Sequence, residues 1–309
     1  IMALSGDVTG KVGDIYDIFS AAELPFPTVK LASGEEVRID QAAYTKYRQE
    51  PNRDDRKAVF DAFWGKWKEF EGTLGANLSA HVAGHVFDAK ARHYDNALQD
   101  ALFGDNMPEA VYRQLVTQVN AALPSLHRYF KLRKKMLGIE GDLGYYDIYP
   151  PLVQLDKKFP LSEGERLSLE ALAPLGDEYI GDLKQMFSSN WMHVYPAAGK
   201  ASGAYMMGAA YDVHPYLLMN YNDDYESMST LAHEAGHGVH TMLAKKAQPF
   251  EKSDYSTFTA ETASIMNEML LQDYMIKNAA TKEEKLYYLG MALETMRGTW
   301  FRQTMFAEF

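Results

Sequence analysis

The chain has 309 residues, enough for a large core and one or two domains, and its 47% hydrophobic content is ordinary for a globular protein. Its net charge of −11 argues against a nucleic-acid surface and against binding to anionic membranes. It has no cysteine, which excludes disulfides, thiolate metal sites and a cysteine nucleophile, and neither a membrane-length apolar run nor a signal peptide is visible, so a cytoplasmic protein is expected.

In chain order, residues 12–19 read as a short helix ended by Pro25 and Pro27. Residues 28–31 and 37–40 alternate apolar and polar around Ser33, Gly34 and Glu35, the pattern of a surface β-hairpin. From 53 to 102 the periodicity is helical, with Val59, Phe60, Phe63, Trp64 and Trp67 on one stripe and a break expected at 72–77. His81 and His85 form an i,i+4 pair, but Val82 stands where a base would be and no carboxylate partner is evident. Two histidines on a helix flank is the favoured reading.

Pro108 suits the first turn of a helix running to about Leu137. Near its end Lys131, Arg133, Lys134 and Lys135 read as a solvated basic face. Residues 138–151 are irregular and stiffened by Pro150 and Pro151. Ser162 is expected to cap the next helix, with Glu165 completing a capping box, and that helix runs toward Ser188. Residues 191–222 mix glycines with tyrosines, and short strands are expected at 204–207 and 215–221. An edge of such a sheet pairs with an extended peptide through main-chain bonds, which implies broad side-chain selectivity. A purely structural sheet is the alternative.

Residues 230–241 then read TLAHEAGHGVHT. In a helix His233 and His237 share a face one turn apart and can offer two imidazole nitrogens to one metal. Glu234 lies about 100° further round. Its carboxylate can reach a water on that metal without being a ligand, the arrangement of a metalloprotease. Asp223, Asp224 and Glu226 at the start, and Lys245 and Lys246 at the end, suit the helix dipole. Gly236 and Gly238 weaken the helix and imply close approach of a neighbour or ligand.

Catalytic zinc ordinarily has three protein ligands and one open position. No Gly-x-x-His follows His237 in the required frame, so the third donor is sought on the next helix. There Glu261 sits among apolar residues, where a metal would compensate its charge. Glu268, two turns on, either supports a ligand histidine or is solvated. His240 either supports the site, contacts substrate, or is structural. Residues 283–309 read as helical, with Met291, Met296, Trp300 and Phe301 as core.

HEAGHGVH followed by FTAETASIMNE, together with GKASGAY, HPYLLMNYN and FRQTMFAEF, resembles the M3 metallopeptidases, most closely the oligoendopeptidase F branch. The resemblance implies one zinc ion held by His233, His237 and Glu261, with Glu234 as general base. It implies a mainly α, zincin-like protein with a small antiparallel sheet beside the HExxH helix and two helical lobes around a deep channel for short peptides. The lobes are expected at 1–145, carrying the surface hairpin, and at 146–309, carrying the chemistry. Gly203, Tyr205 and His214, in two of the resembling stretches, join His240 and Glu268 as candidate substrate or ligand-supporting contacts.

Members of that family are longer at both ends, so a fragment is expected. The family's oxyanion donors would lie beyond Phe309, on a segment that a separate chain could supply. A catalytically incomplete zinc- and peptide-binding fragment, and a peptidyl-dipeptidase, are the alternatives.

Overall fold

The computed structural model describes residues 2–197, 200 and 203–309; Gly199, Ala201 and Ser202 of the GKASGAY stretch lie outside the described residues. The chain is mainly helical and divides into two compact units, one formed by the residues up to Leu152 with Thr295–Phe309, the other by Val153–Glu294. Among the described residues no helix is long and apolar enough to cross a membrane.

The first unit opens with α1 (Met2–Ile18), which starts well before the expected position 12 and ends in a π-helical turn at Phe19–Glu23. Strands β1 (Thr28–Lys30) and β2 (Glu36–Arg38) pair antiparallel with Val29 opposite Val37. This hairpin does more than cover the surface. Leu31, Val37 and Ile39 form a core with Tyr44 and Tyr47 of α2 (Gln41–Tyr47) and with Val59 and Phe63 of α3 (Arg53–Lys68). Helix α4 (Glu71–Ala91) runs unbroken through Gly72 and Gly75; the break falls at residues 69–70 instead. Each glycine costs about 1 kcal/mol against alanine, a small penalty for a helix that packs along α1. His81 and His85 lie exposed on α4 with ring centroids 4.4 Å apart.

After α5 (Ala97–Phe103) comes the long α6 (Glu109–Met136). Arg133 does not belong to a solvated basic face. It is 1% exposed, and its guanidinium donates to the carbonyls of Asp147 and Pro150. Asp147 is itself buried and accepts from Arg53 at 2.9 Å, Arg56 at 3.0 Å and the Gly144 N–H at 2.8 Å. Three arginines thus hold an irregular segment whose backbone groups have no ladder to join.

In the second unit, α7 (Leu161–Ala171) begins one residue before the expected cap. Pro160 occupies the capping position without a side-chain bond, so Ser162 falls inside the first turn and the capping box does not form. The helix expected to reach Ser188 is two helices. Pro174 lies in a 3-10 turn at Ala173–Leu175, and Gly176 at φ +94° turns the chain into α8 (Asp177–Ser188). That φ belongs to glycine territory.

A three-stranded sheet follows, from β3 (Met192–His193), β4 (Tyr205–Met207) and β5 (Tyr216–Leu218), in the order β3-β5-β4. β4 and β5 are antiparallel, with Met206 opposite Leu217, but β3 runs parallel to β5. The sheet is therefore mixed and not wholly antiparallel as expected. Two-residue β3 carries no sequence periodicity that could have announced it.

Helix α9 (Tyr225–Ala247) carries the HEAGH stretch. Asp224 caps it by accepting from the Ser227 N–H at 2.7 Å. A 3-10 turn at Phe250–Lys252 leads to α10 (Thr257–Lys277), capped by Ser256, and then to α11 (Lys282–Thr295). Met228, Ala232, Leu271, Met275 and Tyr288 join these helices in one buried cluster.

A π-helical segment at Met296–Arg302 and the short α12 (Gln303–Glu308) return the chain to the first unit. The expected methionine-aromatic core stripe is only partly buried there, since Met296 and Trp300 are 45% and 58% exposed. A π-helical winding changes the residue period, so side chains spaced for an α-helix no longer share a face.

Candidate metal centre

The centre is built on the contact between α9 and α10. Gly236 is where they meet. A Cβ there would lie 2.8 Å from the Ser264 Cα and 3.1 Å from the Ala263 carbonyl, so only glycine allows this approach. Asn267 on α10 donates to the Ala232 carbonyl at 2.9 Å and accepts from the Tyr179 hydroxyl at 2.8 Å. Asn267 is 1% exposed, so both bonds also keep its buried amide from going unsatisfied. Gly238, on the opposite side of α9, makes room for Met186 of α8.

With the helices at this distance, three donor atoms converge. His233 Nε2 and His237 Nε2 are 3.1 Å apart, and Glu261 Oε2 lies 3.4 Å from the first and 3.6 Å from the second. Among the described residues this is the one group of three side chains able to hold a metal ion. An ion about 2.1 Å from each of three tetrahedral donors would separate them by roughly 3.4 Å. The donor set therefore fits an ion of that kind.

Each of these side chains is also held by a neighbour. Glu268 Oε1 lies 2.5 Å from His233 Nδ1. The ring of His237 bonds the Ala260 carbonyl. Ser264, fully buried, donates to Glu261 Oε2 at 2.9 Å. Burial pulls the His233 pKa down, but the hydrogen bond and charge of Glu268 outweigh it, and the net shift is upward. His237 is held below its ordinary value by burial and by the neighbouring His233.

Glu234 is 6% exposed. Burial raises its pKa, while the backbone N–H of Met206 bonds its carboxylate and partly opposes that rise. A backbone N–H on the sheet has no side-chain signature, and sequence reasoning passed over it. Its only advance sign was the strand expected beside the helix.

The remaining candidates are more dispersed. His240 stacks on Tyr255, with centroids 4.0 Å apart, and its buried Nδ1 has no hydrogen-bond partner among the described residues. Burial lowers its pKa. Gly203 has φ +81°, and its carbonyl accepts from Asn220 at 2.8 Å. Tyr205 lies about half exposed on β4. His214 stacks flat on Trp191, 4.2 Å between centroids, and leans on Tyr216.

The sequence model of peptidase family M3 matches residues 46–309. "Oligopeptidase PepF" of Bacillus subtilis is 39% identical over 310 residues, a match covering 100% of this chain and 46% of that protein. "Group B oligopeptidase PepB" of Streptococcus agalactiae is 37% identical over 309 residues, covering 100% of this chain and 51% of that protein. The crystal structure of oligoendopeptidase-F from Enterococcus faecium superposes with a TM-score of 0.71 at 30% identity, over 98% of this chain and 47% of that one. The chain spans about half the length of the curated relatives it matches.

Proposed function

Because the chain belongs to peptidase family M3, we propose that it hydrolyses peptide bonds within short oligopeptides with the help of one zinc ion. The observation that carries this reading is the mutual spacing of 3.1, 3.4 and 3.6 Å among two imidazole nitrogens and a carboxylate oxygen. His233, His237 and Glu261 would hold the ion, a donor set that suits zinc. When bound, zinc acidifies a water and polarises a carbonyl.

Glu234 takes a proton from the attacking water and delivers it to the leaving amine. A carboxylate raised in pKa by burial is a better base than an exposed one. The Met206 N–H fixes the direction in which Glu234 presents its oxygens. Glu268 orients His233, and His240, Gly203, Tyr205 and His214 contact ligand side chains or the peptide. The chemistry is assigned to the unit Val153–Glu294, in a reducing, cytoplasmic setting. Donors for the tetrahedral oxyanion are part of the proposal as a further polypeptide segment, in the same or a separate chain.

A quenched fluorescent peptide tests the reading. Cleavage that stops with chelator and returns with zinc is expected, and Glu234→Gln should keep the metal while losing most turnover. Full turnover by that variant overturns the base assignment. Chelator-sensitive peptide binding without cleavage would favour a binding fragment, and release of C-terminal dipeptides alone a peptidyl-dipeptidase.

A further inference from the structure

The two faces of the small sheet are unlike. Met192, Met206 and Leu217 point inward and pack with α8 and α9. Alternation then sends His193, Tyr205, Met207, Tyr216 and Leu218 to the other face. There Tyr205, Met207 and Tyr216 are 45%, 51% and 48% exposed. Three large, half-exposed side chains on neighbouring positions form a patch of the kind that marks a binding surface. Trp191, His193, Tyr205, Met207, Tyr216 and Leu218 line a cavity of about 360 Å3 on this face. The stack of Trp191, His214 and Tyr216 stiffens one wall.

β4 is the terminal strand, and among the described residues no strand pairs with its free edge. That edge looks at the proposed base, because the Met206 N–H, directed away from β5, bonds the Glu234 carboxylate. An extended peptide laid along the edge extends the sheet, and its side chains alternate between the two faces. Those on the outer face become cross-strand neighbours of Tyr205 and Met207, within side-chain contact.

We propose that the outer face of this sheet selects substrate. It takes large aromatic side chains at two peptide positions separated by one residue, with Tyr205 and Met207 as the selecting groups. The inference rests on the peptidase reading and sharpens it, since main-chain pairing alone would give broad selectivity. The intervening peptide residue faces inward and is not chosen by this surface.

The test uses the zinc-loaded Glu234→Gln chain, which binds without cleaving, and fluorescence anisotropy with three blocked heptapeptides. One is all-alanine apart from its label, one carries Phe at positions i and i+2, and one carries Phe at i and i+1. Aromatic pairs contribute enough that the i,i+2 peptide should bind roughly ten-fold tighter than the alanine peptide. The i,i+1 peptide should keep only part of that gain.

Adding Tyr205→Ala and Met207→Ala should bring all three within about two-fold, whereas Tyr205→Phe with Met207→Leu should retain the discrimination. A preference that ignores spacing, or that survives the alanine pair, overturns the surface assignment alone. Failure of every peptide to bind overturns the peptidase reading and this inference with it.

Discussion

Glu268 Oε1 and His233 Nδ1 lie 2.5 Å apart, so α10 supplies a partner to the back of the same imidazole whose front faces Glu261 of that helix. Seven residues separate the two glutamates, two helical turns along one face. Glu268→Ala should weaken zinc binding about 10- to 100-fold, as loss of a carboxylate behind a ligating histidine does. Competition against a chromogenic chelator measures it. Glu268→Gln keeps an acceptor and should recover part of the loss. Unchanged affinity in the alanine variant would show that the contact does not orient the ring.

Glu261→Ala should leave the protein folded and reduce zinc well below one ion per chain by elemental analysis. The side chain is not needed to close the core, since it is 44% exposed. Stoichiometric zinc in that variant would remove Glu261 from the donor set.

The two glycines of α9 should respond differently to alanine. At Gly236 the new methyl meets the Ser264 backbone at 2.8 Å, and a helix backbone cannot step aside locally. Overpacking costs of about 1–3 kcal/mol should exceed the gain of about 1 kcal/mol in helix propensity. Zinc affinity should fall with stability because α10 carries Glu261. At Gly238 the methyl meets the Met186 Cε, the flexible end of a side chain that can swing away. Denaturant midpoints and zinc titrations of both variants check the contrast.

Asp147 supplies a pH prediction from the other unit. Burial alone would raise its pKa, but Arg53, the Gly144 N–H and Arg56 hold it below the ordinary 3.8. A folded-state pKa below the unfolded one adds stability that is present above the unfolded value and lost as pH falls through the folded value. Asp147→Asn leaves Arg56 buried without its counter-charge and should cost about 3–5 kcal/mol near neutrality. That cost should shrink as pH falls below about 4, where the carboxylate of the unfolded chain begins to protonate while the native one is still held ionised, and it should fade once pH drops below the native value. Urea midpoints of both proteins between about pH 7 and about pH 3 test it.

What could be read from the sequence follows the range of the interactions. Helix geometry alone puts His233 beside His237, and the apolar run around Glu261 marks a helix on which a lone carboxylate is out of place. The acidic start of α9 and the strands β4 and β5 are likewise local, although which of the acidic residues caps the helix was not legible. Arg133 looked like one of four basic residues on a solvated turn because its partners, the Asp147 and Pro150 carbonyls, are backbone atoms of an irregular segment. Ser162 matched a capping box, but Pro160 began the helix first. The parallel pairing of β3 depends on β5, more than twenty residues away. Gly72 and Gly75 looked like a break because the packing of α4 on α1 is tertiary.

The α9–α10 hairpin also bears on the order of events in folding. Its two helices are joined by the nine residues 248–256, and all three donors lie within 29 consecutive positions, 233–261. Contacts of such short sequence separation close early, before long-range pairings form. A ribosome that has released this stretch has released all three proposed donors, so a metal ion held as proposed would be captured by the nascent hairpin and stabilise it by mass action while later helices are still being made.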